Sequence, residues 1–186
     1  VFLGALRAGV VVAPLAPGSG AASLRRMVQD ASACRVFVDA QGAEAMGPLL
    51  AGDAPRTGLG AGASAPTLDA WWAPASQPPA PVQIQPSWPF NIIYSSGTTG
   101  EPKGIVQPHS MRWAHVRRGA AYGYATDTVT LVSTPLYSNT TLVVFFPTLV
   151  AGGTVLMMPK FDARGFLQLA SRHRVTHAML VPVQYQ

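Results

Sequence analysis

Apolar positions along the chain change rhythm several times, and each rhythm predicts an element. Val1, Leu3 and Leu6 precede Gly9, which predicts a helix that stops at the glycine. The run Val10-Val11-Val12-Ala13 reads as a short buried strand closed by Pro14 and Pro17. Ser23 is placed to cap a helix reaching about Ser32, with Leu24, Met27, Val28 and Ala31 on one face. Arg35 to Asp39 then reads as the next strand. Strands alternating with helices of this length predict βαβ units, a parallel sheet and the α/β class.

Residues 40–89 break that rhythm. Clusters such as GLGAGASAP and PASQPPAPVQIQP predict a surface connection with a short helix over Ala43 to Leu50 and a turn over Leu68 to Trp72. The pair Trp71-Trp72 reads as a hydrophobic anchor for this connection rather than a ligand platform. From Phe90 the pattern is dense again, with a strand to Tyr94, a Gly/Ser/Thr loop and a returning strand around Ile105-Val106. Ser110 is placed to cap a helix from Met111 to about Tyr122 bearing Trp113, Val116 and Ala120. Strands follow at Val129 to Val132, Thr154 to Met158 and Ala178 to Val181. Asp162 caps a predicted helix to about His173, with Phe166, Leu167 and Ala170 facing inward. Thr140 to Val150 stays open: its β-branched residues favour strand, whereas its length before Gly152-Gly153 suits a helix kinked at Pro147.

Composition narrows the class. Apolar residues make up 48% of the 186 and charged residues 11%, against about 25% charged in ordinary domains. That excludes a disordered chain and a coiled coil, and no apolar run approaches the roughly 18 residues of a membrane-spanning helix. Cys34 is the only cysteine, which excludes a disulfide framework and suits a reducing, cytoplasmic compartment. The net charge of +5 comes from 13 basic residues, nearly all arginine, and only Arg25-Arg26 and Arg117-Arg118 are adjacent. Nucleic-acid binding calls for a clustered basic face, so scattered solvated arginines are the expected arrangement. The chain begins at Val1 inside a helical pattern and stops just after a strand-like run, so it reads as an internal piece cut at both ends.

The segment Tyr94-Ser95-Ser96-Gly97-Thr98-Thr99-Gly100-Glu101-Pro102-Lys103-Gly104 carries the candidate chemistry. Glycines let backbone N–H groups approach phosphate oxygens, hydroxyls add donors without bulk, and a lysine supplies a mobile counter-charge. The Walker A pattern is not met: Pro102 replaces its second glycine and Gly104 its Ser/Thr. A Gly/Ser/Thr loop without a ligand is the alternative for a generic stretch, but this string is more specific than that.

YSSGTTGEPKG closely resembles the phosphate-binding signature of the adenylate-forming superfamily, which includes acyl- and aryl-CoA synthetases, peptide-synthetase adenylation domains and beetle luciferases. FLGALRAGVVVAPLAPGS upstream and LVAGGTVLMMPKFDARGFLQLASRHRVTHAMLVPVQYQ downstream extend the resemblance, the latter being closest to acyl-CoA synthetases. The resemblance implies a partial layered αβαβα core, two sheets flanked by helices, from the N-terminal domain. Residues 1–39 would supply βα units, 40–89 the connection, and 90–186 the phosphate loop with the α/β units after it.

The implied chemistry has two steps. A carboxylic acid attacks the α-phosphate of ATP to give an acyl-adenylate, and a thiol, usually that of coenzyme A, displaces AMP. Ser95, Ser96, Gly97, Thr98, Thr99, Gly100 and Lys103 would hold the β- and γ-phosphates, with magnesium arriving on ATP. A carrier protein as acceptor, or a nucleotide-binding fragment without catalysis, are the other readings.

In Pro135 to Thr141, many synthetases have a histidine where this chain has Ser138 and a glycine where it has Thr141. Tyr137 is either a wall of the acyl pocket or a satisfied buried tyrosine. The superfamily's adenine- and ribose-binding segments and its C-terminal catalytic lysine are not in these residues. No catalytic residue is therefore assigned, and the chain alone is expected to be inactive. His109, His115, His173 and His177 show no metal-ligand spacing, and no metal site is expected.

Overall fold

The computed structural model describes residues 1–63, 66–74, 76–77, 79–96 and 102–185. The chain divides into two compact units, Val1–Ile84 with Asn91–Val106, and Gln85–Phe90 with Gln107–Gln186. Its helices and largely parallel strands are those of the expected α/β class.

In the first unit, helix α1 (Phe2–Arg7) ends as its sequence predicts. Gly9 takes φ 71°, its N–H donates to the Leu6 carbonyl at 3.0 Å, and the Val10 N–H donates to the Ala5 carbonyl at 2.9 Å. These two bonds satisfy carbonyls the helix would otherwise leave open. They also explain a correction. The expected strand over Val10 to Ala13 is a single bridge between Val12 and Asn91, because the Val10 amide closes the helix and Pro14 follows at once.

Helix α2 (Ala21–Asp30) starts from Gly20, at φ 76°, after a 3-10 turn over Pro17–Ser19. Ser23 therefore lies inside its first turn and is not the cap. Leu24, Met27 and Val28 point inward as their spacing predicts. They form the core of this unit with Val38 of β1 (Val36–Val38) and Met46 of α3 (Ala40–Met46).

The 40–89 region is more structured than its composition suggests. Helix α3 starts at Ala40 rather than Ala43, because Asp39 accepts the Gly42 N–H at 2.7 Å, and Gly47 at φ 65° ends it before Leu50. Strand β2 (Arg56–Gly58), not expected from its sequence, pairs parallel to β1 in the register Val36–Arg56, Phe37–Thr57, Val38–Gly58. All three of its residues are buried although none is a large aliphatic, so no hydrophobic rhythm could signal it. Helix α4 (Leu68–Trp71) matches the predicted turn. Trp71 meets Phe37 edge-on at 5.2 Å with the Arg35 guanidinium 5.4 Å from its ring, but Trp71 and Trp72 are both exposed, so only Trp71 has the contacts expected of an anchor.

Strands β3 (Pro89–Ser96) and β4 (Pro102–Pro108) pair with each other, as the flanks of the loop predict.

In the second unit, helix α5 (His109–Arg118) is entered through Pro108 and continues as a 3-10 turn over Gly119–Tyr122. Ser110 is again within the helix rather than its cap, and Arg112 is its buried residue while Trp113 is exposed. A three-stranded parallel sheet in the order β6-β5-β7 is built from β5 (Val129–Val132), β6 (Thr154–Met157) and β7 (His177–Ala178).

The open segment is helix α6 (Asn139–Val150) with Pro147 inside it. Proline removes the backbone donor that would reach the Val143 carbonyl one turn earlier. The Thr148 hydroxyl donates to the Val144 carbonyl at 2.7 Å. Helix α7 (Ala163–Arg172) is capped by Asp162, which accepts the Gly165 N–H at 2.6 Å. Phe166 and Ala170 are partly buried as expected, but Leu167 is 69% exposed, since the inward stripe runs through positions 166, 169 and 170.

Candidate functional site

The site is built on the β3–β4 pair. Ser95 and Ser96 are the last two residues of β3, and Lys103 is the second residue of β4. Gly97, Thr98, Thr99 and Gly100, named from the sequence as phosphate contacts, lie outside the described residues. Ser95 and Lys103 are both exposed.

Their facing follows from the pleat. A Cβ added at Gly104 would lie 3.1 Å from Ile92 Cγ2, Tyr94 Cε1 and Asp30 Oδ2, so Gly104 shares a face with Ile92 and Tyr94. Successive strand residues project to opposite faces. Ser95 and Lys103 accordingly stand together on the other face, open to a ligand. A hydroxyl donor and an ammonium on one exposed face suit an anion with several oxygens.

Behind that face, Tyr94 packs against the α2 core and donates its hydroxyl to Asp30 Oδ2 at 2.6 Å, with the Met27 carbonyl at 3.0 Å. Burial, reinforced by the Asp30 carboxylate, pushes the Tyr94 phenol well above its ordinary range, so it remains a donor. Neither Asp30 nor Gly104 was singled out by the sequence as acting here. Asp30 is 64 residues from Tyr94, and no spacing rule connects them.

Tyr137 belongs to the second unit, half-buried in the turn that precedes α6. The turn is tied down by Thr141, the residue found where a glycine was expected. Its hydroxyl donates to the Pro135 carbonyl at 2.7 Å and lies 2.7 Å from the Thr134 hydroxyl. Next to Ser138, Asn139 Oδ1 accepts from Arg112 Nη2 at 3.1 Å and from Gln107 Nε2 at 3.4 Å.

Arg112 also donates to Gln107 Oε1 and lies 5.5 and 5.8 Å from the rings of Phe90 and Phe146. Burial pushes its guanidinium down to about 10. His115 is held below its ordinary value by burial and then by Arg112 and Arg118, and His109 by burial. Among the described residues no three His, Cys, Asp or Glu side chains converge as metal ligands, and no helix is long and apolar enough to cross a membrane.

The parallel β1–β2 and β6-β5-β7 sheets with their helices make this an α/β protein of the adenylate-forming kind. The family model described as "AMP-binding enzyme" matches residues 1–186, and the chain belongs to that family. It is 32% identical over 182 residues to a feruloyl-CoA synthase of Amycolatopsis sp., covering 97% of this chain and 35% of that protein. It is 32% identical over 163 residues to the nonribosomal peptide synthetase inpB of Emericella nidulans, covering 87% of this chain and 7% of that one. Among solved structures, ATP-bound MatB from Rhodopseudomonas palustris superposes with a TM-score of 0.79 at 27% identity, covering 99% of this chain and 37% of that chain. The chain thus spans about a third of the length of the feruloyl-CoA synthase it matches.

Proposed function

We propose that this chain is the phosphate-binding part of the N-terminal domain of an ATP-dependent acid–thiol ligase, an acyl-CoA synthetase. Residues 1–39, 40–89 and 90–186 form successive segments of that one domain. The observation that carries the reading is the segment 94–104, set between paired strands with Ser95 and Lys103 on one exposed face, inside a chain matched end to end by the AMP-binding family.

In the reaction, an acid carboxylate attacks the α-phosphorus of ATP, the bond to the bridging oxygen breaks, and pyrophosphate leaves. Negative charge builds on the departing β- and γ-phosphates. Donors fixed in advance around that charge lower the barrier most where little water competes. Ser95, Ser96, Thr98 and Thr99 supply hydroxyls, Gly97 and Gly100 allow close approach of backbone N–H groups, and Lys103 supplies the counter-charge. Coenzyme A then attacks the acyl carbon through its thiolate, and AMP leaves. Magnesium enters with ATP rather than at a preformed cluster, and Tyr137 borders the acyl pocket. These residues alone do not complete the reaction, which takes place in the cytoplasm.

Lys103→Ala in the full-length protein is expected to lower acid-dependent ATP–pyrophosphate exchange by about a hundred- to a thousandfold, the usual loss for one such donor. Unchanged exchange would remove Lys103 from the site. A carrier-protein thiol as acceptor is the second reading, favoured by the similarity to a peptide synthetase. Release of free acyl-CoA, measured with coenzyme A as sole acceptor, separates the two.

A further inference from the structure

Helix α2 ends on a carboxylate. Negative charge in the last turn of a helix is disfavoured by the helix dipole, so Asp30 gains nothing from its own helix. Its side chain instead reaches both strands that flank the loop. On the incoming side it accepts the Tyr94 hydroxyl at 2.6 Å, a short charge-assisted bond one residue before Ser95. On the outgoing side it lies where a side chain at residue 104 would begin, 3.1 Å from the Cβ position, one residue after Lys103. Gly104 is what allows the carboxylate, the Tyr94 ring and Ile92 to close on β4 together.

We propose that Asp30 is a positioning residue for the phosphate loop, its carboxylate holding the incoming strand through Tyr94 and bearing on the outgoing strand at Gly104. The proposal rests on the reading of residues 95–103 as the triphosphate cradle. Asp30 acts from behind: it stands on the Tyr94 face of the pleat, and Ser95 and Lys103 stand on the other. Its charge is therefore turned away from the phosphates and engaged by the phenol. Each strand end is fixed within one residue of a proposed phosphate contact. What Asp30 controls is the spacing of Ser95 and Lys103, and through it the fit to ATP rather than to the acid.

The test is steady-state ATP–pyrophosphate exchange in the full-length protein, with ATP and acid varied separately. Asp30→Ala and Tyr94→Phe are each expected to raise KM for ATP about tenfold, the loss of one hydrogen bond to a charged group, and to leave KM for the acid within about twofold. The double variant is expected to be no worse than Tyr94→Phe, because Asp30→Ala then removes only a bond that the phenylalanine has already lost. Asp30→Asn keeps an acceptor oxygen and is expected to restore most of the ATP affinity.

An unchanged KM for ATP in Tyr94→Phe, which preserves the ring and its packing, would overturn the proposal, as would additive effects in the double variant. Lys103→Ala in parallel separates the two levels. If it too leaves ATP use intact, the phosphate-loop reading fails and this proposal with it. If it impairs ATP use while the Asp30 and Tyr94 variants do not, only the positioning role fails.

Discussion

Both units bury polar side chains, Thr57 and Asn91 in the first among them, but they differ in where their carboxylates and bonded hydroxyl pairs lie. The first places carboxylates near its margin: Asp39 caps α3, Asp53 faces Arg25 at 3.5 Å and Arg56 at 3.9 Å, and Asp30 takes the Tyr94 hydroxyl. The second buries hydroxyl and amide groups inside its core. Thr130 and Thr148 bond to each other at 2.6 Å, both fully buried, and Gln107 and Asn139 surround the guanidinium of Arg112. Marginal carboxylates are screened by water and contribute little each, whereas a buried hydroxyl or amide is costly once its partner is removed. The first unit should therefore tolerate loss of these carboxylates and respond to acid in the carboxylate range. The second should be brittle to single substitutions.

The largest effect is expected at Arg112. Arg112→Ala strips the packing against Phe90 and Phe146 and leaves the buried Gln107 amide and the half-buried Asn139 amide short of a partner, a loss on the order of 3 kcal/mol in urea unfolding. A loss no greater than that of Asp53→Asn, measured alongside, would erase the contrast.

Next comes the threonine pair. Thr148→Val leaves the Thr130 hydroxyl buried without its partner and should cost about 1–3 kcal/mol. Replacing both by valine should cost less than the single change, since neither donor nor acceptor then remains unpaired. An additive double variant would show that the two hydroxyls act independently.

The smallest effect is in pH dependence, and it separates the units by window. His109 and His115 titrate below their ordinary value of about 6.5 in the folded state. The unfolded chain binds those protons first, so stability falls as pH drops from 7 toward 5. The Asp53 carboxyl is held below its ordinary range, chiefly by the Leu50 N–H and then by Arg25. Its contribution is present above about pH 4 and is lost only as pH falls through its lowered value. Melting curves should flatten between pH 7 and 5 in His109→Gln/His115→Gln, and only below pH 4 in Asp53→Asn. Flattening of both variants in one window would contradict the separation.

How far each feature was legible depends on the range of the interactions behind it. The segment proposed to grip phosphate is a run of adjacent residues, and such a run can be read directly from a sequence. Helix α2, strands β1, β5 and β6 and the Asp162 cap were equally local. Strand β2 was not: Arg-Thr-Gly has no apolar rhythm, and it is a strand only because β1 lies beside it. The helical state of 139–150 was undecided between propensity and length, and it is a helix with Pro147 inside it.

From the sequence alone came the α/β class, the two strands that carry Ser95 and Lys103, and the resemblance that led to the AMP-binding family. These rest on periodicity and on neighbouring residues, which a chain carries before it folds. Tertiary structure decided that Arg56 and Arg112 would be buried, that Thr141 would tie the turn before α6, and that Asp30 would meet Tyr94 and the open flank of Gly104. Those contacts join residues far apart in the chain or on separate elements. Their energy depends on distance and desolvation, which exist only once the elements have packed.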